Sequence, residues 1–225
     1  MRVSKIDIRK FRGIENSTIV LPKHAVLIGD NNTGKTTILE ALDLALGPDR
    51  LNRFPPIDEH DFYQGQYLAK VSKGDSEAEG DQDEASDAGD VELGEAPCIV
   101  IEVAIAELSE DQKARFGDYV EFWDAKADKF YDDPNPDGVD PDHITEALRV
   151  TFHGWYDPDE DDFQGKTYFT RSLKEAGTPV EFRKKDKQIC GFLYLRSLRT
   201  GSRALSLERG SLLDIILRLK EVRPQ

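Results

Sequence analysis

The residues best suited to chemistry lie side by side near the start of the chain: Gly29, Asp30, Asn31, Asn32, Thr33, Gly34, Lys35, Thr36 and Thr37. The first eight fit the spacing G-x-x-x-x-G-K-[ST], the pattern of a loop that wraps a polyphosphate. Glycine at Gly29 and Gly34 admits backbone angles closed to other residues. Amides from Asn31 to Thr37 can then converge on an anion at the positive end of a helix dipole. Lys35 supplies a point charge for the β- and γ-phosphates, the Thr36 hydroxyl suits one site of a Mg²⁺ octahedron, and Thr37 can donate to the α-phosphate. Lys35 is therefore the candidate catalytic group, Thr36 the candidate metal ligand, and Gly29 to Thr37 the candidate site for ATP and Mg²⁺. A plain glycine turn capping a helix is the competing account, but a cap requires neither a lysine nor two glycines at this separation.

Such a loop needs a strand before it and a helix after it. The continuously apolar run Ala25-Val26-Leu27-Ile28 reads as a central strand covered on both faces. Thr33 to Leu46 reads as a helix, with Ile38, Leu42, Ala45 and Leu46 at helical spacing and Gly47-Pro48 as stop signals. Upstream, Val3 to Arg9 alternates as a half-buried strand, Phe11-Arg12-Gly13-Ile14 makes a turn, and Ser17 to Leu21 forms a second strand. Downstream, Asp49 to Gln66 is an irregular connection. Strands are expected at Ile99 to Ala106, Leu148 to Tyr156, Tyr168 to Leu173, Val180 to Phe182 and Phe192 to Leu195, with a helix at Ser109 to Tyr119. Ser211-Leu212-Leu213-Asp214 matches a capping box that opens a last, apolar-faced helix.

Composition sets the outer bounds. The 225 residues carry 30 Lys and Arg against 44 Asp and Glu, for a net charge of −14, and 38% of them are hydrophobic. That length allows one large domain or two small ones with an ample core. No run approaches the ~18 apolar residues of a spanning helix, and Met1 to Lys5 opens no secretory leader, so a cytoplasmic protein without membrane attachment is expected. Two cysteines, Cys98 and Cys190, exclude a disulfide scaffold. An acidic insertion spans residues 73–97; from Gly74 to Pro97 it holds ten carboxylates and no Lys or Arg. With little apolar surface to offset its ordering entropy, it reads as a disordered, solvated loop between two strands, the alternative being an acidic interaction tail or DNA mimic. The net acidity argues against a broad DNA-binding face, leaving Arg183 to Lys187 and Arg196 to Arg218 as candidate local basic patches.

Three stretches together carry a resemblance: Ile6-x-Ile8-x-x-Phe11-Arg12-Gly13-Ile14, Val26 to Thr37, and Leu39-Glu40-Ala41-Leu42. They resemble the ATP-binding head of the SMC and RecF branch of ABC ATPases. Within that branch the chain is most similar to the overcoming-lysogenisation-defect (OLD) family of ATP-dependent endonucleases, a likeness strengthened by Asp58-Glu59-His60-Asp61-Phe62-Tyr63 and by Phe192 to Leu219. The resemblance implies an α/β P-loop NTPase head with a small antiparallel β subdomain, using ATP and Mg²⁺. It also implies a homodimer closed through ATP between two heads, and DNA as the partner. ATP-gated DNA cleavage, in phage defence or repair, would be carried out by a separate Toprim domain. Mapped onto this sequence, Gly29 to Thr37 would hold the triphosphate, Asn31 would lie near the γ-phosphate, and Arg12 would reach the nucleotide from the adjacent turn.

Departures from the family pattern shape the expectation. There is no L-S-G-G signature and no strand ending in Asp-Glu. Glu102 sits inside a strand and is expected to face a neighbour, and Arg196-Ser197 stand where related heads carry a Gln. The expectation is an N-terminal lobe spanning residues 1–225, without the C-terminal lobe and nuclease, that binds ATP with little turnover. An SMC/RecF-like repair ATPase, a nucleotide-dependent interaction module and a small-molecule P-loop kinase are the alternatives.

Other clusters read as structural. Asp133 to Asp140 imitates the start of a calcium loop, but two prolines interrupt it and Ile144 stands where the bidentate Glu belongs. Asp157 to Asp162 reads as solvated. His24, His60, His143 and His153 show no zinc spacing. Phe122, Trp123, Phe130, Tyr131, Trp155 and Tyr156 could stack on single strands, with core packing the simpler account. Because residues 74–97 have so little to bury, deleting them should leave the melting temperature nearly unchanged; calorimetry of the deletion variant checks this, and a large drop would show the loop to be structural.

Overall fold

The computed structural model describes residues 1–48, 55–69, 96–175 and 177–194. The chain divides into two compact units, Met1–Phe192 and Leu193–Gln225, and only Leu193 and Tyr194 of the second are among the described residues. Most of the acidic insertion, Leu195, Arg196-Ser197, the Arg196 to Arg218 stretch and the helix expected after Ser211 lie outside them.

The first unit is built on a seven-stranded sheet, antiparallel throughout: β1 (Arg2–Phe11), β2 (Ile14–Val20), β3 (Ile99–Ala106), β4 (Val120–Asp124), β5 (Lys129–Tyr131), β6 (Ile144–Asp157) and β7 (Asp162–Phe169). The order is β2-β1-β3-β6-β4-β5, with β7 also paired to β6. Strand β6 is long enough to serve three neighbours: one edge takes β3, and the other takes β4 at Ile144 to Leu148 and β7 at Val150 to Asp157. Alternation decides the faces. Ile6 and Ile8, then Ile101, Val103 and Ile105, then Leu148, Val150 and Phe152 all point to one side and are fully buried. The opposite face carries Lys5, Asp7, Glu102, Arg149 and Thr151.

That second face is held by charge. Arg149 donates to both oxygens of Glu121, at 2.7 and 2.5 Å, and to Glu102 at 3.0 Å, with its guanidinium 3.9 Å from the Phe130 ring centroid. Burial disfavours the Arg149 charge, but its bonds to Glu121 and the charges of Glu102 and Glu121 more than compensate, so it titrates above the usual arginine range. Glu102 thus faces a neighbour, as its mid-strand position suggests. Of the aromatic residues, Trp123 is buried and stacks on Phe130.

Helix α1 (Lys35–Leu46) covers the apolar face. Ala41 to Leu46 are buried without a break, whereas the amino-terminal half is only partly covered, with Thr36 and Leu39 exposed and Leu39 41% so. The helix starts two residues later than its apolar periodicity suggests, because Gly34 adopts a left-handed conformation at φ 86 and acts as N-cap. Helix α2 (Glu110–Phe116) opens with a capping box in which Ser109 and Gln112 exchange side-chain and backbone bonds. Helix α3 (Lys184–Cys190), which periodicity does not reveal, ends on left-handed Gly191. Gln112 donates to Ile189 O at 3.0 Å and Arg115 pairs with Asp186 at 2.9 Å, fastening α2 to α3.

Three expected strands differ. Val180 to Phe182 joins β7 by a single bridge, Tyr168 to Glu181, and the segment after Phe169 turns instead of extending to Leu173. Residues 192–194 form no ladder. Most consequentially, Ala25 to Ile28 is not a strand: Val26 is 80% and Ile28 91% exposed. A run apolar on both faces needs a neighbour on each side, and no strand among the described residues pairs with it.

The segment from Pro55 to Ala69 lies along the buried face at the β6–β7 end. Gly154 and Gly165, paired across the two strands, make room for it: a Cβ on Gly154 would meet Ile57 at 2.7 Å, and one on Gly165 would meet Phe152 at 2.7 Å and Pro56 at 3.1 Å. Phe62, Tyr67, Tyr156 and Phe163 then pack as one aromatic cluster with centroids 5.2 to 6.1 Å apart.

Lys187 is fully buried and donates from Nζ to Leu44 O at 2.9 Å, capping the negative end of α1. Burial lowers its pKa to about 7 against the opposing charges of Asp43 and Glu181, while burial pushes the Cys190 thiol up to about 12. The folded-state lysine pKa is below its unfolded value of 10.5, so above pH 7 the unfolded chain binds the extra proton. Stability should therefore rise from pH 7 to pH 9, by up to ~1.4 kcal/mol per pH unit. Above the ordinary thiol value of 9.0, Cys190 acts in the opposite sense, since only the unfolded thiol ionises. Urea unfolding at pH 7, 8 and 9 should show the rise, and Lys187→Met should flatten it; an unchanged slope assigns the proton elsewhere. Gly165→Val should cost about 2 kcal/mol in the same assay by overpacking Phe152 and Pro56, and a neutral result would refute the close fit at the glycine pair.

Candidate functional site

The candidate loop projects from the free end of α1. Its two glycines serve different ends. Gly34 needs its left-handed conformation, as expected, and Asn32 shares it at φ 64. Gly29 does not have a positive φ, contrary to the reason given by sequence; a side chain is excluded there because a Cβ would meet Thr33 Oγ1 at 2.9 Å. Thr33 itself donates to Asp30 O at 2.8 Å, closing the loop.

Lys35 folds back over this ring. Its Nζ donates to Gly29 O at 2.7 Å and Asp30 O at 2.5 Å and lies 3.3 Å from Thr33 Oγ1. Among the described residues the ammonium is thus satisfied by oxygens of the loop, with no carboxylate partner. The first amide with a helical partner is that of Ile38, bonded to Gly34 O at 3.0 Å, so the amides of Lys35, Thr36 and Thr37 precede the helical ladder. Positive φ at Asn32 and Gly34, amino-terminal amides outside the helical ladder and one lysine together make a residue set that fits a polyphosphate. Asn31 and Thr36 are exposed, and Thr37 is partly so.

Arg12 sits apart from the loop sequence but close to its helix. The residue is left-handed, at φ 50, in the turn between β1 and β2. Its backbone N–H donates to Asp61 O at 2.7 Å, its Nε donates to Asp61 Oδ1 at 2.8 Å, and one terminal nitrogen pairs with Glu40 of α1. Burial disfavours the guanidinium charge, but the bond and charge of Asp61 and the charge of Glu40 outweigh it, so Arg12 titrates above its usual range. The structure thus brings Arg12 to the flank of α1 through two carboxylates that sequence reading left without a role. Both lie in stretches that carry the resemblance, Leu39 to Leu42 and Asp58 to Tyr63, and Asp58 and Asp61 form a capping box on the turn Glu59–Asp61.

Other sequence candidates are not assembled into a site. His60 is exposed on that turn, His153 packs edge-on against Tyr168, and Asp133 caps its own loop through the Asn135 amide. No cluster of His, Cys, Asp or Glu suited to a metal ion occurs among the described residues. No described helix is long and apolar enough to cross a membrane.

Comparisons with known proteins give three matches. A 49-residue stretch is 41% identical to the uncharacterized protein YbjD of Escherichia coli (strain K12), covering 22% of this chain and only 9% of that protein. A solved structure from work on the ATP-driven dimerization and DNA-stimulated activation of SMC ATPases aligns over 98% of each chain, at 10% identity and a TM-score of 0.42. Residues 1–147, which include the whole loop, Arg12, Glu40 and Asp61, match the AAA ATPase domain family, and the chain belongs to that family.

Proposed function

We propose that this chain is the Mg²⁺-ATP-binding lobe of an ATP-driven, DNA-acting protein of the OLD type, in which nucleotide binding brings two heads together and gates a nuclease. The observation that carries the nucleotide reading is the Lys35 ammonium, folded onto three oxygens of its own loop beside the free amides of α1. Such a lysine has no counter-charge among the described residues and can exchange those weaker acceptors for phosphate oxygens. Membership of an ATPase domain family supports the same reading. The OLD assignment, the homodimer and the DNA partner rest on the motif resemblance.

In this reading Gly29 to Thr37 cradle the triphosphate through backbone amides, Lys35 neutralises the β- and γ-phosphates, and Thr36 contributes its hydroxyl to Mg²⁺, the ion that balances phosphate charge. Asn31 lies at the rim near the γ-phosphate. Glu102 is committed to Arg149 on the far face of the sheet and takes no part in activating water. Among the described residues no carboxylate follows a strand end beside the loop, so the chain binds ATP with little turnover. A small-molecule kinase would instead turn over on addition of an acceptor.

Lys35→Ala should weaken Mg²⁺-ATP binding at least ~tenfold, the scale of a lost hydrogen bond to a charged group, without unfolding the chain. Titration with a fluorescent ATP analogue, with circular dichroism as the folding control, tests this; equal affinity in mutant and wild type sinks the site.

A further inference from the structure

Arg12 is held more firmly than a simple staple between elements requires. Asp61, whose side chain is 4% exposed, takes both its Nε and, through the carbonyl, its backbone N–H. Asp61 is fixed in turn: its second oxygen accepts from the Asp58 amide at 3.2 Å, and Phe62 bridges to Phe11, the last residue of β1 and the one before Arg12. Glu40 takes one terminal nitrogen of the guanidinium. The other terminal nitrogen has no partner among the described residues, and 33% of the Arg12 side chain remains exposed.

Two features set this cation beside the loop. Glu40 follows Thr36 by four residues within α1, so the two side chains stand one above the other on the same helix face, roughly 5–6 Å apart at Cβ. A guanidinium pinned to Glu40 is therefore one helical turn below the hydroxyl read as the metal ligand. In addition, Arg12 keeps a left-handed backbone at φ 50, although Gly13, which could adopt it without strain, is the next residue and does not. The two-residue turn closed by the Phe11–Ile14 pair sets that conformation, and with it the direction in which the Arg12 side chain leaves the strand.

We propose that Asp61 and Glu40 are positioning residues of the nucleotide site: together they orient Arg12 so that its free donors face the Mg²⁺-nucleotide held at Thr36. The inference rests on the nucleotide reading above and deepens it. Asp61 acts through Arg12 and does not touch the ligand. The segment from Pro55 to Ala69 becomes part of the binding machinery, because its packing over Gly154 and Gly165 and in the Phe62 cluster decides where Asp61 stands.

A mutant cycle in the 225-residue chain tests this, with affinity for a fluorescent ATP analogue and Mg²⁺ as the readout and melting temperature without nucleotide as a parallel measurement. Asp61→Asn keeps the shape but removes the charge, and should weaken binding about tenfold or more, as loss of a charge-assisted bond does. In an Arg12→Ala background the same substitution should change affinity less than about twofold, because its route to the nucleotide is gone. Glu40→Gln should show the same dependence on Arg12 and guards against misfolding of the Asp61 variant. A merely structural role would lower the melting temperature and affect binding equally in both backgrounds, which overturns the proposal. So would wild-type affinity in Asp61→Asn or Arg12→Ala. If the wild type binds no nucleotide, or Lys35→Ala binds as well as wild type, the underlying reading falls first.

Discussion

One end of helix α1 is gripped far more densely than the other, and this asymmetry organises the molecule. The grip is dense: six consecutive buried residues from Ala41 to Leu46 against the apolar face of the sheet, with the Lys187 ammonium on the last-turn carbonyl of Leu44. A helix buried on all sides over its final turns resists rotation about its axis. The Gly29 to Gly34 loop at the opposite end can thus be exposed to solvent yet remain fixed in direction. Burial of the carboxyl-terminal half does the work that packing around the loop would otherwise have to do.

The sheet contributes through its two faces. Its apolar face holds α1 and the Pro55 to Ala69 segment, and the paired glycines of β6 and β7 let that segment approach closely enough to present Asp61. Its polar face buries Arg149 among Glu121, Glu102 and Phe130, an arrangement in which each charge is matched and hydrogen-bonded. Charge on one side therefore locks the strands that the other side uses as a platform. Arg12 and Arg149 show the two uses of a paired guanidinium: Arg149 has three bonds to carboxylates, whereas Arg12 retains free donors at the edge of the site.

Local pattern made much of this legible. The loop was readable because its glycines, lysine and threonine occur at fixed spacing, and β1, β3 and most of β6 because alternation or β-branched runs are unambiguous. What stayed hidden depends on contacts between distant residues. Helix α3 is seven residues long and mostly charged, so it has almost no apolar period to detect. The Asp61–Arg12–Glu40 cluster joins positions up to 49 residues apart, and no spacing rule predicts it. Gly29 shows the reverse case: its identity was legible but its reason was not, since a steric approach by Thr33 looks the same in sequence as a requirement for positive φ. Ala25 to Ile28 failed as a strand because hydrophobicity specifies that a segment needs covering and says nothing of where the cover comes from.

That bare stretch has a practical side. Val26 and Ile28 stand in water and pair with no strand among the described residues, an apolar surface that favours intermolecular association. Handled by itself, the polypeptide will be sticky at high concentration in spite of its −14 charge, because low salt keeps molecules apart whereas screening lets such surfaces meet.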